Sequence, residues 1–348
     1  MSPAAIRAAT LVQIGKETTR GTGVAATRRL VGQSFTWRRM QELEAFEGEN
    51  IGLLARTARA PLVVAEGLEF EAEMRLGFEQ ILWPLLSGVK GAVTPTTPGT
   101  GEARLWTFTP PVSADPLPDS YTAELEESSF TDVAEMESTY VLTDRLEARS
   151  EGGVPVLRTS HFGRKVSDST KTASIALPTL THASSARWAV YFDATWAGLG
   201  TTQITAQIRN LTYILATGIR PARYLDNRSD LDFSQYEFGT RQADLTFEVV
   251  HDPAAAKLVQ TEEPLKTAGT LRFVRAQLNG AAFLTPDTAL SRFIRLDGAY
   301  YHAADSMVER GQDADGNLIT SVHLISAYDP TQAQDIQIAV QNNLTAFP

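Results

Sequence analysis

Residues 14–23 read IGKETTRGTG, which has the residue types of a phosphate cradle in the wrong order. A cradle needs a glycine-rich turn ending in Gly-Lys-Ser/Thr, set between a strand and a helix. Here Lys16 precedes Gly21 and Gly23, Glu17 follows the lysine, and no apolar helical pattern follows Gly23. Nucleotide binding is therefore not expected. His161, His182, His251, His302 and His323 form no i, i+4 pair and no HExxH, so no zinc site is expected either. DADGN at residues 313–317 is close to a calcium loop, but Leu318 stands at the sixth position, where the loop needs glycine. There is no Gly-x-Ser-x-Gly elbow, and the absence of cysteine excludes disulfides, thiolate ligands and Cys nucleophiles. Carboxylates remain. Glu69, Glu71 and Glu73 could in principle flank a glycosidic bond, but three acids on one alternating face read more simply as a solvated strand face. The expectation is a non-enzyme with no cofactor and no metal.

A chain of 348 residues with 43% hydrophobic and 21% charged content is globular and long enough for two cores. No apolar run approaches a membrane span, and the start lacks the basic-then-apolar pattern of a secretory signal. The net charge of −10 is spread evenly: residues 1–174 hold 18 Lys+Arg and 23 Asp+Glu, residues 175–348 hold 13 and 18. Neither half is a basic nucleic-acid domain. Arg outnumbers Lys 25 to 6, which fits a GC-rich genome and a thermophile equally well.

The elements that would position any site come in two sets. Thr18, Gly21 and Gly23 match Thr195, Gly198 and Gly200 at an offset of 177. Phe35-Thr36-Trp37 match Leu211-Thr212-Tyr213 at 176, and Leu68, Phe70 and Glu71 match Leu245, Phe247 and Glu248 at 177. Ile81-Leu82 fall on Leu258-Val259 at the same spacing. Four matches in order, at nearly half the chain, indicate a tandem duplication. Each copy alternates as half-buried strands do, in GLEFEAEMR, YTAELEE and STYVLTDRLEAR of the first and DLTFEVVH, TLRFVRAQL and LITSVHLISAY of the second. A short helix is expected after the shared strand in each. Phe78, Ile81, Leu82 and Leu85 form an apolar stripe that Pro84 should kink or shorten, and Asp252-Pro253 open AAAKLVQ. The expected organisation is a first unit at 1–163 with an N-terminal arm at 1–30, a linker at 164–186, and a second unit at 187–348. Long excursions are expected at 40–65 and 218–242.

The order QIGKETTRGTG, VAATRRL, GLEFEAEMR, FEQILWPLLSG, WTFTP and YTAELEE resembles the major tail proteins, the tail tube proteins of long-tailed non-contractile bacteriophages (siphophages). The resemblance is clearest over residues 11–162 and recurs over 188–340. It implies mainly β architecture: tandem β-sandwich units, each with one flanking short helix, whose sheets join those of neighbours into a ring-spanning β-barrel. It implies a virion protein, made in the host cytoplasm, that self-assembles as stacked rings into the hollow tube through which DNA is delivered. Its partners would be itself, the tape-measure protein and DNA in the lumen, and tail-terminator and baseplate proteins at the ends, with no membrane. Single-unit members mostly form six-membered rings, so two units per chain imply a trimer. A tail-terminator or baseplate ring, and a two-domain carbohydrate-active or carbohydrate-binding β-sandwich, are the competing readings.

On this reading Glu69, Glu71, Glu73, Glu124 and Glu126 are expected to face the lumen. Basic walls would hold DNA by counterion release, and acidic ones let it slide. The two excursions are expected to carry contacts between stacked rings through Ile51, Leu53 and Leu54 in the first and Tyr224, Phe233 and Tyr236 in the second, because long loops of this kind are usually functional.

Overall fold

The computed structural model describes residues 10–44, 62–128, 133–204, 208–224, 230–250, 271–302, 309–312 and 318–347. Alternating sequence gives strands throughout. The first half holds β1 (Leu11–Lys16), β2 (Arg28–Arg29), β3 (Ser34–Glu44), β4 (Leu62–Arg75), helix α1 (Leu82–Gly88), β5 (Arg104–Phe108), β6 (Tyr121–Ser128), β7 (Val133–Ser150), β8 (Val156–Gly163) and β9 (Ser167–Asp168). The second holds β10 (Trp188–Asp193), β11 (Ile208–Ala216), β12 (Ile219–Ala222), β13 (Gln235–Phe238), β14 (Gln242–Val250), β15 (Arg272–Ala282), β16 (Ser291–His302), β17 (Glu309–Gln312), β18 (Leu318–Ser326) and β19 (Ile336–Asn342).

The described strands form one large open antiparallel sheet, not a closed barrel, plus the two-stranded β12–β13 hairpin. Pairing in the first half runs β1-β6-β7-β8-β4-β3. In the second it runs β10-β15-β16-β18-β14-β11. The long strand β7 serves two partners: residues 133–141 pair with β6 and residues 142–149 with β8. These two pairings are divided in the second half between β16 on β15 and β17 on β18.

β7 turns its corner at Tyr140, a non-glycine residue with φ of 56°. The side chain of Glu17 holds that corner. Its carboxylate accepts from Tyr140 N at 2.8 Å, Ser120 Oγ at 2.6 Å, Thr122 Oγ1 at 3.1 Å and Gly21 N at 2.7 Å. Gly21 lies at φ 73°, where a β-carbon would be strained and would run into Arg164. The stretch that resembles a misordered phosphate loop is thus a carboxylate clasp on the chain's own backbone. Asp193 does similar work in the second half, accepting from Gly200 N, Thr201 Oγ1 and Thr202 N.

Within the expected N-terminal arm at 1–30, the chain is part of the sheet from Leu11 onward. β1 pairs with β6 over its whole length, and Val12 and Ile14 are fully buried because their apolar side chains belong to the core. The expected linker is also packed. Ser167 and Asp168 pair with β7, and Val166 is buried. Helix α1 starts at Leu82, and Pro84 falls in its first turn, where a backbone N–H has no partner within the helix. The second expected helix lies outside the described residues.

One hydrophobic cluster spans both halves, with Phe70, Trp83, Trp106 and Tyr121 from the first and Tyr213, Phe247 and Tyr300 from the second. Within it His161 stacks on Trp83, with ring centroids 4.1 Å apart, and contacts Thr143 Oγ1 at 2.9 Å and Thr159 Oγ1 at 2.7 Å. Burial disfavours the imidazolium and lowers the His161 pKa to about 3. The folded value lies below the unfolded one, near 6.5, so the contribution to stability is complete above about pH 6.5 and is lost as pH falls toward 3. Denaturant titrations at pH 7 and pH 4.5 should show the wild type losing roughly 2–3 kcal/mol more between the two than a His161→Asn variant. Equal losses would remove His161 as the cause.

Candidate functional site

The two halves meet edge to edge. β11 lies between β14 and the C-terminal part of β7, with Leu211↔Ser150, Tyr213↔Ala148 and Leu215↔Leu146 in register. The result is a continuous eight-strand path, β3-β4-β8-β7-β11-β14-β18-β17. β3 and β17 close its ends, and neither has a second partner strand among the described residues. Antiparallel partners share a face, so the polar face of this path can be read across the junction. One row runs Ser34, Glu73, Arg158, Glu147, Ile214 and Asp244. The next runs Thr36, Glu71, Ser160, Arg145 and Ala216.

The expected acidic comb lies on this face, and arginines accompany it. Glu73 accepts from Arg158 Nε at 2.8 Å, Glu69 pairs with Arg38, and Arg145 reaches Glu147 at 3.4 Å. Glu71 is exposed and makes no ion pair among the described residues. The face is therefore of mixed sign. Opposite charges at cross-strand positions each favour the register modestly, by about 0.2–1 kcal/mol.

Glu124 does not belong with the comb. It is 3% exposed, and its carboxylate accepts from Ala26 N, Thr172 N, Thr172 Oγ1 and Gln13 Nε2. It pins residues 26 and 172 to β6, and simple alternation could not reveal partners so distant in sequence. Glu126 sits beside Lys171, which also bonds Glu135. These two hydrogen bonds, to Glu126 and then Glu135, hold the Lys171 ammonium above its ordinary range.

Ile51, Leu53 and Leu54 lie outside the described residues. In the second excursion the candidates divide. Tyr224 is exposed, but Phe233 and Tyr236 are buried against the first half of the same chain, in a cluster with Tyr140, Leu142, Phe162 and Ile219. Tyr236 donates its hydroxyl to Asp115 at 2.6 Å and carries Arg20 over its ring. Phe233 and Tyr236 are thus packed within the chain. Their apolar surface is satisfied by the neighbouring half.

Two further clasps tie the halves, and neither is visible as a motif. β5 pairs with β19, and Trp106 Nε1 donates to Asn342 Oδ1 at 3.2 Å while Asn342 Nδ2 donates to Phe78 O at 2.7 Å. Asp287 accepts from Thr100 N, Gly101 N and Ala103 N at 2.9–3.1 Å. Gly101 permits this close approach, since a β-carbon there would lie 2.8 Å from Asp287 Oδ2.

No family model matches this chain, and no curated protein matches it in sequence. Among the described residues there is no cluster of His, Asp and Glu suited to a metal ion, and no helix long and apolar enough to cross a membrane. The geometry offers edges and faces for pairing.

Proposed function

We propose that this chain is a structural virion protein, the self-assembling tail tube of a siphophage, built from two tandem units of common origin. The observation that carries the reading is the β7·β11 junction. It joins an edge strand of one half to an edge strand of the other, and the halves pair their strands in the same order. Each half thus has a donor edge and an acceptor edge. Within the chain β11 has found β7, which leaves β3 and β17 as the corresponding unjoined edges. A sheet with matching free ends continues head to tail, and such contacts close into rings when the rotation permits. Closure also removes exposed strand edges, which otherwise invite uncontrolled pairing.

Three chains supply six units, the number implied by the resemblance to single-unit tail tube proteins. Stacked rings then enclose a bore lined by the polar face. Its interleaved Arg and Glu side chains would neither hold DNA as a basic wall does nor repel it strongly. Electron microscopy of the purified protein tests the reading. Hollow filaments with true threefold and approximate sixfold symmetry are expected. Closed rings without filaments would favour a tail-terminator or baseplate ring, and monomers at assembly concentrations would favour a carbohydrate-binding β-sandwich. True sixfold symmetry with this chain as the subunit would overturn the trimer.

A further inference from the structure

The segment that joins the halves first runs as a strap over the first one. Ser167 and Asp168 pair with Glu137 and Met136 of β7, Ser169 N donates to Glu135 O, and Arg164 N donates to Thr139 O. These contacts cover the edge of β7 over residues 135–139. The chain then crosses the face of β7, β6 and β1 that is turned away from the core. Beneath it Glu124 stands directly opposite Glu137, and Glu126 directly opposite Glu135. Like charges at facing positions oppose the pairing that brings them together. The strap offsets them. Lys171 Nζ bonds Glu135 at 2.8 Å and also pairs with Glu126. Lys171 N donates to Glu135 at 3.3 Å, Thr172 N and Oγ1 each donate to Glu124 at 2.7 Å, and Ser169 Oγ donates to Glu137 at 3.2 Å. Among the described residues Lys171 is the one cation paired with any of these four glutamates.

We propose that residues 164–172 are a charge-operated guard strap, in which the Lys171 ammonium holds the facing glutamates together and so keeps the β7 edge covered. The amide and hydroxyl donors of the strap are neutral, and Lys171 alone brings the opposite charge. Without that charge Glu126 and Glu135 repel across the strands, and the strap lifts. The edge it leaves has unpaired N–H and C=O groups, onto which another chain can add a strand. The second half shows why a charge is needed here. Its corresponding strand, β19, pairs along β16 from Phe293 to Gly298 and is braced on its other side by β5. β9 has only Ser167 and Asp168 in register with β7, so backbone pairing alone holds it weakly.

Hydrogen exchange followed by mass spectrometry on the full chain reads the strap directly, because the amides of Ser169, Lys171 and Thr172 are bonded within it. Lys171→Gln should speed exchange roughly 5–20-fold in the strap and over residues 135–139 of β7, with β4 and β18 unchanged. Lys171→Arg keeps the charge and should stay near the wild type. In a Glu126→Gln, Glu135→Gln background the facing charges are gone, and Lys171→Gln should then change exchange by less than about twofold. Wild-type exchange in the strap of Lys171→Gln overturns the proposal. Equal opening by arginine and glutamine, or an undiminished effect in the double-glutamine background, overturns it as well. So does a uniform loss of protection across the chain, since Lys171 would then add only to global stability.

Discussion

Mild oxidation of an Arg39→Cys, Gln312→Cys double variant should convert assembled chains into disulfide-closed trimers, with monomer nearly absent from a non-reducing gel. The pairing follows from the internal junction. The strand register corrects the sequence match of Trp37 with Tyr213 by two residues: Leu211 stands for Trp37 and Tyr213 for Arg39, since Leu211 and Trp37 each face the matched phenylalanine, Phe247 or Phe70. Arg145 and Glu309 correspond, since each faces the matched serine, Ser160 or Ser321. The internal pair Ala148↔Tyr213 therefore maps onto Gln312 of one copy and Arg39 of the next. Directly paired antiparallel residues have Cα atoms about 4.5–5.5 Å apart, within disulfide range. A register slip of one residue turns a side chain to the opposite face, so Arg38→Cys with Gln312→Cys is the control and should cross-link poorly. Arg39 contributes only a surface pair with Asp168, so the fold should tolerate its loss. Equal cross-linking in both variants would refute the register, and none in either would refute the β3·β17 edge.

Replacing Glu17 by alanine should produce the largest loss of stability of any single polar substitution described above. Glu17 is 6% exposed and its carboxylate receives four hydrogen bonds, two of them from backbone N–H groups, at Gly21 and at the buried Tyr140. Hydrogen bonds to a charged group contribute about 1.5–3 kcal/mol each, and a buried donor left unmet costs about 1–3 kcal/mol, so a total of roughly 3–5 kcal/mol is expected after relaxation. Denaturant midpoints of Glu17→Ala and Glu17→Gln measure it. The glutamine retains an acceptor and should lose less. Because the clasp holds the corner where β7 passes from β6 to β8, hydrogen exchange at Tyr140 and its neighbours should rise more than at β18. Uniform loss of protection across the chain would mean that Glu17 only adds to global stability.

Much of this fold was legible because strand alternation is a local signal. GLEFEAEMR alternates in the sequence and alternates buried and exposed along β4. The stripe of Phe78, Ile81, Leu82 and Leu85 likewise marked α1, although the helix itself takes in only Leu82 and Leu85. What was not legible depended on contacts across long separations. Glu124 has the type and spacing of a solvated comb residue, yet Thr172 takes its carboxylate inside. Phe233 and Tyr236 read as surface anchors of a loop because nothing near them in sequence announces Tyr140 or Phe162 as their cover. Glu17 sat inside a stretch whose glycines drew attention to phosphate. The acid, read there only as an interruption, is the residue on which the stretch turns. On the candidate site, alternation placed Glu69, Glu71 and Glu73 together, but their partial neutralisation needed Arg38 and Arg158, which arrive from neighbouring strands.

The β5·β19 pairing bears on the timing of synthesis. Residues 104–108 leave the ribosome long before residues 336–342, and elongation at about 5–20 residues per second sets a wait of roughly 10–50 s between them. During that interval Trp106 lacks the Asn342 carbonyl, and Phe78 lacks the amide that caps it. The first half therefore cannot reach its final packing alone, although its six main strands are already present. A polysome holds many such nascent halves at high local concentration, each with a β3 edge able to pair. On the proposed assembly such a half carries β3 but not yet β17, the edge that β3 would join, so only finished chains could add to a ring.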